Sequence, residues 1–244
     1  MTLPRVAPAV ALAVLAWAIA VLLVNWFAPQ AIAWLPAAGS TVTAMALTLV
    51  GVVPLIRIDP RVRHRELGFT WAQLRAGAFA FAALWAANQL GGIIDAALSG
   101  RVASTPYDLA GFILVGYGEE LVFRVALIGA ALDVLSKRCS PRAALAYAVA
   151  FSTLVFVASH VPHDVVLGSA SVLRYASLAA MGVCFAVAYV ASGTVMVPAA
   201  LHVIANAGMV IVAGPHEDVQ GIAFIVVVVG IVVVARRRRG VAPS

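Results

Sequence analysis

Two adjacent glutamates and an arginine stand within GYGEELVFRVAL, residues 116–127 of a stretch otherwise as apolar as a membrane span. Glu120 and Arg124 are four residues apart, so on a helix they share a face and can form an ion pair. Glu119 lies about 100° round the helix from Glu120 and is left without that partner. Two further apolar stretches carry pairs at the same spacing: Phe156 and His160 in FVASH, and His202 and Asn206 in LHVIAN. An ionisable group at mid-bilayer costs about 2.5–3.5 kcal/mol on insertion scales, so such groups need partners or a wet cavity. Glu120 with Arg124 can be a packing salt bridge and nothing more, and a single buried histidine is more often core than catalyst. A Glu, two His and an Asn on three helices are harder to explain by packing alone. A carboxylate without a counter-ion can take a proton from water, a neutral histidine can hold that water in line, and His and Asn can donate to a developing oxyanion. Together they can hydrolyse a peptide bond without a covalent intermediate. No serine or cysteine has an obvious base beside it in the sequence.

The elements that must position these residues are set by composition. Hydrophobic residues make up 64% of the 244 and charged residues 11%, with a mean hydropathy of +1.04, which describes an integral membrane protein. Apolar runs of about twenty residues fall at 9–28, 40–58, 76–98, 106–135, 142–165, 170–192, 195–213 and 220–235. This predicts an all-α polytopic protein of about eight transmembrane helices around an intramembrane cavity. A single membrane domain, 1–244, is expected, with 106–213 as the core helices bearing the three motifs. The first run follows Arg5 and precedes Ala31-Ile32-Ala33, but it exceeds the roughly 7–15 apolar residues of a signal peptide and reads as an uncleaved anchor. Thr105-Pro106-Tyr107-Asp108 and Ser140-Pro141 read as helix starts. RIDPRVRHRELGFTWAQLR, the longest polar stretch, reads as a loop, and His163 with Asp164 reads as solvated membrane edge. Asn88, Gln89 and Asp95 in the third run are expected to hydrogen-bond between helices.

Basic residues cluster at Arg57, Arg61, Arg63 and Arg65, at Lys137, Arg138 and Arg142, and at Arg236–Arg239. These follow runs two, four and eight, so with both termini cytoplasmic every cluster is inside. The pI near 10 thus reflects loop charge, and without interleaved aromatics it is no nucleic-acid footprint. Cys139 and Cys184 have no CxxC spacing and imply neither disulfide nor thiolate metal site.

In order and spacing, Glu119, Glu120 and Arg124 with Phe123, then Phe156 and His160, then His202 and Asn206, resemble the CAAX protease and bacteriocin-processing family, the CPBP or Abi group of glutamic intramembrane endopeptidases. The resemblance covers 119–206 and rests on EExxxR, FxxxH and HxxxN, each in a separate apolar run. Val125 departs from it, since many members carry glycine after the arginine, which bears on helix packing. The resemblance implies a conical cavity in an eight-helix bundle. Glu119 would be the general base, His160 would orient the water, and His202 with Asn206 would form the oxyanion hole. Glu120, Arg124 and Phe156 would support them. It calls for no cofactor and no metal. The implied partners are membrane lipid and a protein or peptide substrate with a membrane-associated tail, with no nucleic acid. Richness in Ala, Val and Arg with a single lysine points to a GC-rich bacterial genome, hence to a bacterial inner membrane.

Three other readings use the same residues. Two Glu and two His could ligate zinc as in a metalloprotease, although HExxH is absent. The polar groups could be a proton-coupled transport pathway, although no repeat is visible and Pro198 alone interrupts the seventh run. A non-catalytic immunity or scaffold protein could also keep this fold. The helix ends place the site at mid-membrane or in the outer half. Single cysteines in a Cys139→Ser, Cys184→Ser background check the orientation behind that placement. On intact cells an impermeant thiol reagent should label Gly214→Cys and spare Arg63→Cys; the reverse pattern means an inverted chain.

Overall fold

Every apolar run forms helix through most of its described residues, and no strand occurs among the described residues. The computed structural model describes residues 3–27, 39–60, 62, 67–99, 109–166, 168–207 and 225–234. Its helices are α1 (Pro8–Phe27), α2 (Gly39–Ile58), α3 (Trp71–Ser99), α4 (Leu109–Glu120), a π-helical segment (Leu121–Leu127), α5 (Ile128–Leu135), α6 (Pro141–Val166), α7 (Val172–Ser192), α8 (Met196–Ala207) and α9 (Ile225–Val234). Among the described residues, Trp71–Ile94, Pro141–Pro162 and Val172–Ser192 are long and apolar enough to cross a membrane. The Thr105–Asp108 start signal and the side chain of Asp95 lie outside the described residues.

Local chemistry fixes where several helices begin. Ser140 Oγ accepts from the Ala143 amide at 3.4 Å and Pro141 takes the first helical position of α6, as expected. Helix α3 starts five residues before the expected 76, because Thr70 and Gln73 form a capping box. The Gln73 amide donates to Thr70 Oγ1 at 3.4 Å, and the Thr70 amide donates to Gln73 Oε1 at 3.2 Å. Part of the polar stretch read as a loop is therefore helix. Ahead of it Leu67 is buried, and the Tyr117 hydroxyl donates to its carbonyl at 2.7 Å, so this connection packs into the protein. The α7–α8 reversal is equally defined. Gly193 takes the left-handed conformation at φ 68°, its amide donating to Tyr189 O at 2.7 Å, and Thr194 Oγ1 accepts from the Met196 amide at 3.2 Å. This tight turn brings His202, about 9 Å up α8, level with Phe185, about 10 Å back along α7.

One continuous rod, α4 through the π segment to α5, runs through the middle of the bundle. It packs against α1, α2, α6 and α8, and every residue from Glu120 to Ala130 is buried. Apolar side chains such as Leu12, Phe79, Leu90 and Leu154 face outward. Lipid tails are as apolar as a core, so close approach at small residues, rather than hydrophobic sorting, decides which helix faces meet. Gly116 is such a contact between α4 and α8: a Cβ there would lie 2.9 Å from Val203 Cγ2 and 3.0 Å from Ala199 O. At Gly118 a Cβ would meet only Leu49, at 3.5 Å. Gly116→Ala should therefore push α8 away and cost about 1–3 kcal/mol, whereas Gly118→Ala should be neutral or stabilising through helix propensity. Thermal melting in detergent checks both; equal melting of the two variants contradicts the packing.

Candidate active site

The EExxxR spacing closes as an ion pair. Arg124 Nε donates to Glu120 Oε2 at 2.9 Å, and both side chains are fully buried. Arg124 enters from the π segment, whose i to i+5 turns are rare and recur at functional sites. Its Nη1 donates to Ser152 Oγ on α6 at 3.0 Å, and that hydroxyl donates to the main-chain oxygen of Phe123 at 2.6 Å. Three phenyl rings wall the guanidinium, with Phe156, Phe123 and Phe185 centroids at 5.5, 5.9 and 5.9 Å. The site's cation thus sits in an aromatic box, with one carboxylate on its open edge.

His202 on α8 joins the two glutamates. Its Nδ1 lies 3.0 Å from Glu120 Oε1, and because that carboxylate only accepts, the network makes Nδ1–H the donor. Nε2 then faces Glu119, 3.7 Å from Oε2. That separation is too long for a hydrogen bond, and among the described residues Glu119 Oε2 has no hydrogen-bond partner. The Glu119 side chain keeps 21% of its exposure, against 2% for His202. The His202 ring is fixed by stacking on Phe185 at 4.6 Å and 19°, with Phe156 edge-on at 6.0 Å.

Phe156 also fixes the second histidine. His160 lies against its ring at 4.6 Å, and its Nδ1 is 2.8 Å from the Phe156 carbonyl. A carbonyl can only accept, so Nδ1 carries the proton, and in the neutral form of the ring Nε2 is left with its lone pair. Glu119, Glu120, Arg124, Phe156, His160 and His202 are thereby gathered around one aromatic cluster. Asn206, one turn beyond His202, is exposed.

Other polar residues are placed differently from their sequence reading. Asp164 is 1% exposed rather than solvated; it ends a stripe of Ser152, Phe156, His160 and Asp164 on α6, and Arg174 Nε reaches it at 3.2 Å. Helix α6 runs on to Val166, and the arginine ten residues ahead supplies the charge that allows the burial. Asn88 is also buried, and among the described residues its Oδ1 makes no hydrogen bond. Ser152 and Phe185 were missed. Ser152 had a signal, since it stands one turn before FxxxH on the same face; Phe185 had none. No group of three His, Cys, Asp or Glu side chains is arranged to hold a metal ion among the described residues. His202 meets its two glutamates through opposite ring nitrogens.

Comparison with known families now bears on this geometry. Residues 101–208 match the family model described as type II CAAX prenyl endopeptidase Rce1-like. Over that segment the chain is similar to the Rce1-like family. All three motifs and every residue named in the polar network lie inside it. The match supports, at family level, a CAAX-type intramembrane peptidase reading for this segment. Its apolar helices agree with a multi-pass integral membrane protein. No curated protein and no solved structure matches the chain.

Removing one partner of a buried ion pair strands the other charge. Arg124→Met should therefore lower stability by about 3–5 kcal/mol, and the added Glu120→Gln change should recover part of that loss. Melting curves of the purified variants test both; an Arg124→Met protein that melts like the parent contradicts the role given to the pair.

Proposed function

We propose that this chain is a glutamic-type intramembrane endopeptidase that cuts a protein or peptide near its membrane-associated end, in bacterial protein maturation at the inner membrane. Both termini are placed in the cytoplasm, and 106–213 is the catalytic core of one membrane domain. The observation that carries this reading is the inequality of the adjacent glutamates. Glu120 is committed to Arg124 and His202, while Glu119 keeps an oxygen free of hydrogen bonds among the described residues, beside His202 Nε2.

In the proposed step, the Nε2 lone pair of His160 accepts from a water and holds it in line with the substrate carbonyl. Glu119 takes the water's other proton as the oxygen attacks. Asn206, and His202 when Nε2 is protonated, donate to the oxyanion. Collapse breaks the C–N bond, and the proton on Glu119 leaves with the amine. No bond to the enzyme forms. Resting tautomer and fixed ring support the part given to His160, and the exposure of Asn206 supports its reach to a substrate.

The most direct test is a comparison of membrane protein termini from cells with and without the protein, where new C-termini near membrane anchors should depend on its presence; identical termini overturn the reading. With a substrate so identified, Asn206→Ala should lower turnover by roughly 10²–10³ with little change in KM. A rise in KM at constant turnover makes Asn206 a substrate contact instead. Elemental analysis of active protein should find well under one zinc per chain; stoichiometric zinc whose removal and return switches activity off and on favours the metal mechanism.

A further inference from the structure

Arg124 is held as a cation by the faces of three rings, but ring faces do not set the rotation of a planar guanidinium. That rotation is set by its hydrogen bonds, which need the donors of the fork to point at acceptors. Nε addresses Glu120 and Nη1 addresses Ser152, while Nη2 has no hydrogen-bond partner among the described residues. Glu120 is a long side chain located by what it binds. Ser152 is short, fully buried and anchored, because its single proton goes to the Phe123 carbonyl and its lone pair is thereby turned toward Nη1. The same two bonds tie α6, which carries His160, to the π segment that follows Glu119 and Glu120.

We propose that Ser152 is a positioning residue of the site, which through Arg124 and Glu120 sets the ring orientation and proton placement of His202. The chain of contacts runs from Phe123 O through Ser152 Oγ, Arg124 and Glu120 to His202 Nδ1, and Nε2 then faces Glu119. Loss of the hydroxyl frees the guanidinium to turn away from Glu120 and releases the proton that Glu120 holds on Nδ1. The effect on turnover rests on the function proposed above, whereas the link from Ser152 to His202 stands or falls by itself.

The test is nitrogen NMR of the full-length protein in detergent micelles with isotope-labelled histidine, the His202 signals being identified by their loss in His202→Gln. Ser152→Ala should move both His202 nitrogens, and Ser152→Thr, which keeps the hydroxyl, should return them toward the parent positions. Ser152→Cys, which keeps the volume but weakens both hydrogen bonds, gives the same reading where the alanine variant does not accumulate. On a cleavable substrate, Ser152→Ala should lower kcat by roughly ten- to a hundredfold, the worth of one hydrogen bond to a charged group, with KM little changed. Unmoved His202 signals in both the Ala and Cys variants, whatever their melting temperatures, make Ser152 a packing residue and overturn the proposal. Moved signals with unchanged turnover keep the link and remove His202 from the reaction.

Discussion

Two opposite charges buried where neither water nor lipid headgroups reach them govern how this protein is built. Glu120 and Arg124 are both fully buried, and the cost of stripping them of water is met only because their neighbours complete the shell. Ser152 takes one guanidinium bond, three phenyl faces take its π-facing surface, and His202 takes the other carboxylate oxygen. These neighbours come from the π segment, α6, α7 and α8. A central rod with charges inside thus dictates which helices must surround it and at what height.

The same constraint divides the labour between adjacent carboxylates. Successive residues on a helix point about 100° apart, so a doublet can place one group in the packed interior and the other at its border. Glu120 goes inward and becomes part of the framework. Glu119 stays partly exposed, next to a histidine whose far nitrogen that framework already holds. The mechanism proposed above uses both: a fixed polar scaffold that survives in low dielectric, and one carboxylate left available to move a proton.

Much of this was legible because membrane helices tolerate few polar groups. Against an apolar background, the i to i+4 pairs Glu120 with Arg124, Phe156 with His160 and His202 with Asn206 stand out, and the first two are contacts in the structure. The third is not closed in the same way, since His202 turns to Glu120 while Asn206 remains exposed. What stayed hidden was apolar or non-local. Phe185 is one of ten phenylalanines, and its place against His202 follows from the length of the α7–α8 reversal rather than from any motif. The π widening leaves no mark in an apolar run, although the EExxxR resemblance pointed to Val125 as a packing departure and that residue lies, fully buried, within it. Asp164 looked solvated because its partner, Arg174, lies across a connection whose path the sequence does not draw.

The division between the two glutamates is most directly measured by purifying Glu119→Gln and Glu120→Gln side by side. For each, the melting temperature in detergent and the turnover of a fluorogenic prenylated CAAX peptide, or of a substrate found by mapping termini, are recorded together. Glu119→Gln should melt like the parent and show no turnover, because the amide fits the same space but cannot take the proton from water. Glu120→Gln should melt well below the parent, because Arg124 is left without its counter-charge. Near-normal turnover by Glu119→Gln, or a Glu120→Gln protein as stable as the parent, would contradict it.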